Sequence, residues 1–301
     1  MPSNVIHKFN SSAVPDEASI ILWTENNLDK KISISQLADK MGCSQKYLNS
    51  YFLHKTGVNI STYIRLRKLT LASFLLRETG KSITDLSVMY GFDYVQSFSR
   101  AFKKHFSLSP LKYKESDCWD MSYFFPSAIA SNFKYSANEI IMDNLYLSFV
   151  RAGKITLPFD YQFLSVLRKG KEAWSGSLRK DCISVIFRQN KTADRICIAG
   201  DTVAIKNGKT VVNTYAGVLS DTPTNDAVLI PGGAYVMFVY EGTPDEILLF
   251  HAWCKGHGLY KEHCILKRGM TLSIFEKTEN TDIYRSRYYI PIVTNHYLAH
   301  T

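Results

Sequence analysis

Residues Ile83–Lys114, ITDLSVMYGFDYVQSFSRAFKKHFSLSPLKYK, decide how the rest of the chain is read. Ser82 stands where a helix N-cap belongs, and Ile83, Leu86, Ser87 and Tyr90 recur at helical spacing. Gly91 tolerates positive φ at a turn, and Phe92 behind it can plug the gap. The next helix is expected from Tyr94 to His105. Its Phe98, Ala101 and Phe102 face inward, leaving Tyr94, Gln96, Ser97, Arg100, Lys103 and Lys104 outward. Pro110 is expected to stop further helix. A short basic helix behind a glycine turn is what the major groove of B-DNA admits, which makes this a candidate recognition helix. The plainer reading is a helical hairpin with a solvated basic face.

Upstream, Ile32–Thr56 repeats the theme. Ser33 and Gln36 form a candidate capping box. Ala38, Gly42 and Leu48 supply a small contact residue, a turn glycine and an aliphatic anchor, and Ser87 and Gly91 repeat the first two at the same spacing. The second helix, about Ser44–Lys55, turns Leu48, Tyr51 and Phe52 inward and Gln45, Lys46, Asn49 and Ser50 outward. Asn and Gln can bond adenine bidentately, and Lys reaches guanine acceptors or phosphate. Each is equally at home as a solvated surface residue. Ala18–Leu28 is expected to be a packing helix, and Ser61–Glu78 a long helix facing both units. Two recognition helices can read neighbouring major-groove faces only when held about one DNA turn, ~34 Å, apart.

The 301 residues allow two domains, and 46% hydrophobic content marks globular material. The formal charge is +9, but residues 1–116 carry 16 Lys and Arg against 9 Asp and Glu, net +7, while residues 117–301 carry 20 against 18, net +2. The positive excess thus sits with the helical pairs and points to a polyanion partner there. No apolar run reaches the ~20 residues of a membrane span, and no amphipathic anchor accompanies the charge, so no membrane partner is expected. The N-terminus lacks the apolar core of an export signal, and six scattered cysteines suit a reducing compartment; a cytoplasmic, nucleoid-associated protein is expected.

The segments GVNISTYIRLRKLTLASFLL, ITDLSVMYGF and FSRAFKKHFSLSPLKYK resemble the DNA-binding domain of AraC/XylS regulators, closest to the MarA/SoxS/Rob type, over roughly residues 18–114. The resemblance implies monomeric, bipartite binding to double-stranded promoter DNA at an asymmetric, degenerate site and contact with RNA polymerase; an activator is expected, though the sequence does not fix the sign of regulation. By position it makes Lys46, Asn49 and Ser50 base-reading candidates in the first helix and Val95, Gln96, Ser97 and Arg100 in the second. The MarA type has Trp, Gln and Arg in place of Lys46, Asn49 and Ser50, and Gln in place of Val95, so a different promoter set is expected. The family's common glycine is placed at Phe106, a change read as packing.

Beyond Glu115–Asn132, read as a linker, the periodicity turns to strands: Cys182–Phe187, Arg195–Ile205, Lys209–Leu219, Ala234–Glu241, Thr271–Glu276 and Arg287–Val293. Helices are expected near Phe159–Trp174 and over Pro244–Lys255, the latter capped by Thr243 and Glu246. LIPGGAYVMFVYEGTPDEILLFHAWCKGHGL and RYYIPI resemble the GyrI-like effector-binding domain found in Rob-like regulators. The expected fold is therefore multidomain. An N-terminal all-α domain (1–116) holds two helix-turn-helix motifs joined by a long helix; a linker (117–134) follows. A C-terminal α+β domain of two similar halves occupies 135–301. The resemblance implies a cleft for a small amphipathic effector, with Tyr146, Trp174, Tyr235, Phe238, Trp253 and Tyr289 as candidates, although aromatics at such spacing are core residues more often than ligand contacts. Relatives place an acidic residue where Arg287 stands, so an anionic amphiphile is expected over a cationic one.

His251, Cys254, His257, His263 and Cys264 have ligand chemistry for zinc but no standard finger spacing, and Gly256 and Gly258 are expected to end the helix within the cluster. No metal, no cofactor and no catalytic residues are assigned, and the chain is not read as an enzyme. The alternatives kept open are an architectural DNA-binding protein and an enzyme or metal-dependent sensor built on the C-terminal domain.

Overall fold

The computed structural model describes residues 17–129, 133–158, 194–204, 209–280 and 282–294. The helix expected near Phe159–Trp174 and the strand expected over Cys182–Phe187 lie outside them. Helices α1 (Glu17–Asn26), α2 (Ile34–Met41), α3 (Gln45–Thr56), α4 (Ile60–Glu78), α5 (Ile83–Met89), α6 (Val95–Phe106) and α7 (Pro110–Glu115) come first. A sheet-rich region follows. No helix among the described residues is long and apolar enough to cross a membrane.

Side-chain caps set the helix starts. Ser33, Ser44, Asn59, Ser82 and Ser109 each accept a backbone N–H three residues on, satisfying a donor that the helix cannot. Only Ser82, with Asp85, closes a full capping box among these; Ser33 bonds the Gln36 N–H without the reciprocal bond. Pro110 starts a helix instead of stopping one: it occupies the first turn of α7, where its missing N–H costs nothing. The left-handed residue after α6 is Ser107, at φ 61°, one position beyond the Phe106 at which the family glycine was placed. Phe106 is buried against Phe102 and Tyr113.

α4 is the axis of the helical region. Leu48, Phe52, Leu86, Phe98 and Phe102 from the surrounding helices join Tyr63, Leu69, Ala72, Leu75 and Leu76 in one core. That core is not purely apolar. Arg67, on α4, gives Nε and Nη2 to the two oxygens of Glu25 on α1 at 2.7 and 2.9 Å, with both side chains wholly buried. Tyr63 adds its hydroxyl to the same carboxylate at 2.6 Å. Such a pair persists in low dielectric because every charged atom is matched.

The strands are β1 (Cys118–Asp120), β2 (Ser136–Met142), β3 (Leu145–Pro158), β4 (Arg195–Ala204), β5 (Lys209–Ser220), β6 (Val228–Ile230), β7 (Gly233–Gly242), β8 (Ile265–Lys267), β9 (Thr271–Lys277) and β10 (Tyr284–Val293). All pairings are antiparallel, in the order β1-β8-β10-β9-β4-β5-β3-β6. Only Pro231 and Gly232 separate β6 from β7, which pairs with β10, so the path of strands returns on itself. Leu147, Cys197, Ala199, Ile230, Tyr235, Leu272, Ile274 and Tyr289 gather on the enclosed face. α8 (Pro244–Trp253), held by the expected Thr243–Glu246 capping box, covers the other face through Phe250, against Phe238 and Tyr240. The helix does not end at the glycines. It continues through a π-turn, Cys254–Gly258, into the short α9 (Leu259–Lys261). Gly258 lets the turn pack closely there: a Cβ would meet the Phe238 and Trp253 rings at 3.2 Å and oblige them to shift.

Residues 117–129 do not run free between the two regions. Trp119 and Phe124 are buried, and β1 pairs with β8 at the sheet edge. Trp119 lies between Arg77 of α4 and Arg268 beyond β8, at 5.2 and 5.1 Å from the ring centre. Arg268 in turn reaches the Lys114 and Ser116 carbonyls and the Asp117 carboxylate. We call residues 118–129 the strap.

Candidate nucleic-acid interface

The strap is also hydrogen-bonded on both sides. Phe125 gives its N–H to Thr70 Oγ1 and its carbonyl accepts from Arg67 Nη1, while the Ala128 N–H reaches Tyr63 Oη. From the other region, His257 on the π-turn accepts the Ser127 N–H at 3.2 Å. Burial, with Arg67 and Lys261 nearby, pushes the His257 imidazole down to about 3, so it is held neutral. His105 at the end of α6 is turned to the strap as well, its Nε2 lying 2.8 Å from the Tyr123 carbonyl, and burial holds it below its ordinary value. It is therefore not part of the basic face of α6.

Two helices each bury one side and expose a polar, basic one. α3 sinks Leu48, Tyr51 and Phe52 into the core and exposes Gln45, Lys46, Asn49 and Ser50. α6 sinks Phe98, Phe102 and Phe106 and exposes Tyr94, Gln96, Ser97, Arg100, Lys103 and Lys104, with Val95 half-buried. Each follows a left-handed glycine, Gly42 at φ 64° and Gly91 at φ 72°. Ala38 and Ser87 are the buried small residues at the same place in α2 and α5. Tyr94 heads α6 without a side-chain cap, leaving the first N–H groups of that helix open to an outside acceptor.

The chain matches the helix-turn-helix domain family model over residues 37–116. It is 34% identical to the multiple antibiotic resistance protein MarA of Escherichia coli K12 over 106 residues, 35% of this chain and 84% of MarA. The chain belongs to the AraC/XylS family of helix-turn-helix transcription regulators, of the MarA/SoxS/Rob type. Within that family it is 29% identical to the transcriptional regulator Rob of Salmonella typhimurium over 251 residues, 79% of this chain and 85% of Rob. It is 42% identical over 108 residues to the regulator YkgA of Escherichia coli K12, of whose length it spans 45%. Family membership places DNA binding on the helical region whose exposed faces are described above.

The described residues expected to hold an effector are divided between the two faces of the sheet. Tyr235 and Tyr289 share the enclosed face of the sheet, whereas Phe238 and Trp253 belong to the core under α8. Tyr146 is half-buried and alternates with the enclosed Leu147, so it points to the opposite face; Trp174 lies outside the described residues. Arg287 is on the side of Tyr289 but already paired, Nη1 lying 2.9 Å from Glu276 Oε1. Arg195 reaches the same oxygen at 3.1 Å. Sequence reading missed Arg195 and Glu276 because a cross-strand pair has no signature within one strand. The His/Cys cluster is engaged internally: His251 meets Ser286 at 2.7 Å and stacks on Tyr288, and burial raises the Cys254 thiol.

Proposed function

We propose that the protein is a transcription activator that binds promoter DNA as a monomer through two helix-turn-helix motifs, α2–α3 and α5–α6. The observation that carries the reading is the pair of polar, basic faces of α3 and α6, each behind a left-handed glycine and both seated on α4. In this reading Lys46 and Arg100 donate to guanine, Gln45, Asn49 and Gln96 bond adenine, and Ser50, Ser97, Val95 and Tyr94 shape the fit. Lys103 and Lys104 grip phosphate. RNA polymerase is the protein partner, met by the surface turned away from the duplex.

Residues 1–116 form the DNA-binding domain, 117–134 the connection and 135–301 a GyrI-like domain that binds a small amphipathic effector. The pairing pattern supports two similar halves. Exchanging β2, β3, β4 and β5 with β6, β7, β9 and β10 turns each of their pairings into another. The effector meets the enclosed face beside Tyr235 and Tyr289. There the Arg195–Glu276–Arg287 group sums to one positive charge, which favours an anionic head group.

Footprinting of the full chain on a duplex selected from a random pool tests the DNA reading. Two protected segments about one helical turn apart are expected, with affinity falling steeply as salt rises. One protected segment, or equal competition by any duplex, overturns it. Decanoate is expected to raise the melting temperature and decyltrimethylammonium to leave it unchanged; the reverse order overturns the anionic ligand.

A further inference from the structure

The reading above requires that α3 and α6 be held at one separation, and a buried ammonium is placed to hold it. Lys68 lies mid-way along α4, almost wholly enclosed. Its Nζ donates to the Lys30 carbonyl at 2.7 Å and to the Tyr90 carbonyl at 2.8 Å. Lys30 belongs to the loop leading into α2, and Tyr90 caps α5 immediately before the Gly91 turn that leads into α6. One cation therefore ties the lead-in of the first motif to the turn of the second. The Gly91 turn packs beside the same group: a Cβ there would be in ordinary contact, 3.6 Å, with both the Lys31 backbone and Lys68 Nζ. The other charged link between these loops, Lys31–Asp93 at 3.5 Å, is 79% and 75% exposed and is screened by water and salt. Charge-assisted bonds to two carbonyls in an enclosed site resist being broken far more than an exposed pair does. Rotating one motif about α4 relative to the other would break one of Lys68's bonds.

We propose that Lys68 is a positioning residue that sets the separation of the two recognition helices, and so the number of base pairs between the two DNA segments they read. This rests on the two-motif reading. It differs from a stability role in what it controls: the tolerance for spacing, which general weakening of the fold does not change.

The test uses the full chain and the duplex recovered from a random pool by the wild type, together with versions carrying one base pair inserted or deleted between the two protected segments. One base pair shifts a segment by about 3.4 Å and turns it by about 34°. The wild type is expected to bind the altered duplexes about tenfold more weakly or worse, a discrimination typical of a misplaced specific contact. Lys68→Met, which keeps an apolar stem and removes the cation, is expected to bind all three within about threefold of one another, and Lys68→Arg to recover most of the wild-type discrimination. If Lys68→Met loses its helical circular dichroism, Lys68→Gln, one bond shorter, serves in its place. A folded variant without the cation that keeps the wild-type spacing penalty overturns the proposal. A wild type indifferent to spacing overturns the two-motif reading itself.

Discussion

Arg67 and Glu25 show how a single buried pair can connect distant parts of the chain. The guanidinium satisfies a carboxylate on α1 and the Phe125 carbonyl of the strap, while Tyr63 on α4 serves that carboxylate and the strap's Ala128. Removing one partner leaves the other charged and dry. Arg67→Ala is therefore expected to cost about 3–5 kcal/mol of stability, read as a lowered urea midpoint at unchanged m-value. His257 gives a pH dependence of definite sign. Its imidazole titrates near 3 in the fold, below its ordinary value near 6.5. The stability gained by keeping it neutral is present above pH ~6.5 and drains as pH falls toward 3, by up to about 1.4 kcal/mol per unit. Urea unfolding at pH 7.0, 6.0 and 5.0 checks this, with His257→Gln expected to give the shallower slope. None of these roles was legible beforehand: Arg67, Lys68 and Arg77 sit in a helix read for its apolar stripe, and charged residues are ordinarily assigned to solvent.

The helical elements were the readable part, for a physical reason. Caps, turn glycines and 3.6-residue spacing are local, so Ser82, Gly91 and the Phe98–Phe102 face carry their meaning within a few residues. Gly91→Val is expected to lower stability by about 1–3 kcal/mol, because a β-branched residue resists φ 72°; thermal melting of the full chain checks it. Ser107→Gly should act oppositely, raising stability by about 0.5–1 kcal/mol where a non-glycine now holds φ 61°. Arg100→Ala is expected to weaken specific DNA binding by about 1–3 kcal/mol if the side chain reads a base, with relaxed preference at one position in a competition assay. The strands β4, β5, β7, β9 and β10 were read from β-branched and aromatic runs. β1, β6 and β8 were missed because three residues hold no period; β2 and β3 were missed as well, their apolar runs being interrupted by Asn138 and Glu139 in the one and by Arg151, Gly153 and Lys154 in the other, and all five are paired by partners elsewhere in the chain. The candidate effector set is divided between two faces for a related reason. Alternation tells which residues share a face of one strand, but not which face a later helix will cover, and α8 covers Phe238 while Tyr235 is left to the enclosed side.

At the scale of the whole molecule, the strap joins the helical and sheet-rich regions by insertion. Trp119 donates its indole N–H to the Tyr113 carbonyl and is flanked by cations from both regions. Trp119→Ala is expected to replace one calorimetric transition by two, as the regions cease to melt together, with a loss of about 3–5 kcal/mol from the emptied seat. This interlock bears on how the molecule divides. A cut after residue 116 falls at the end of the readable helical pattern, yet it strips Arg67, Thr70 and Tyr63 of the backbone they hold and uncovers the bed of two large rings. A shortened protein carried on to residue 129 keeps those partners, so it should stay in solution where the shorter version clumps. For anyone joining this helical region to a different companion, the place to cut lies about a dozen residues beyond the end of the helical pattern.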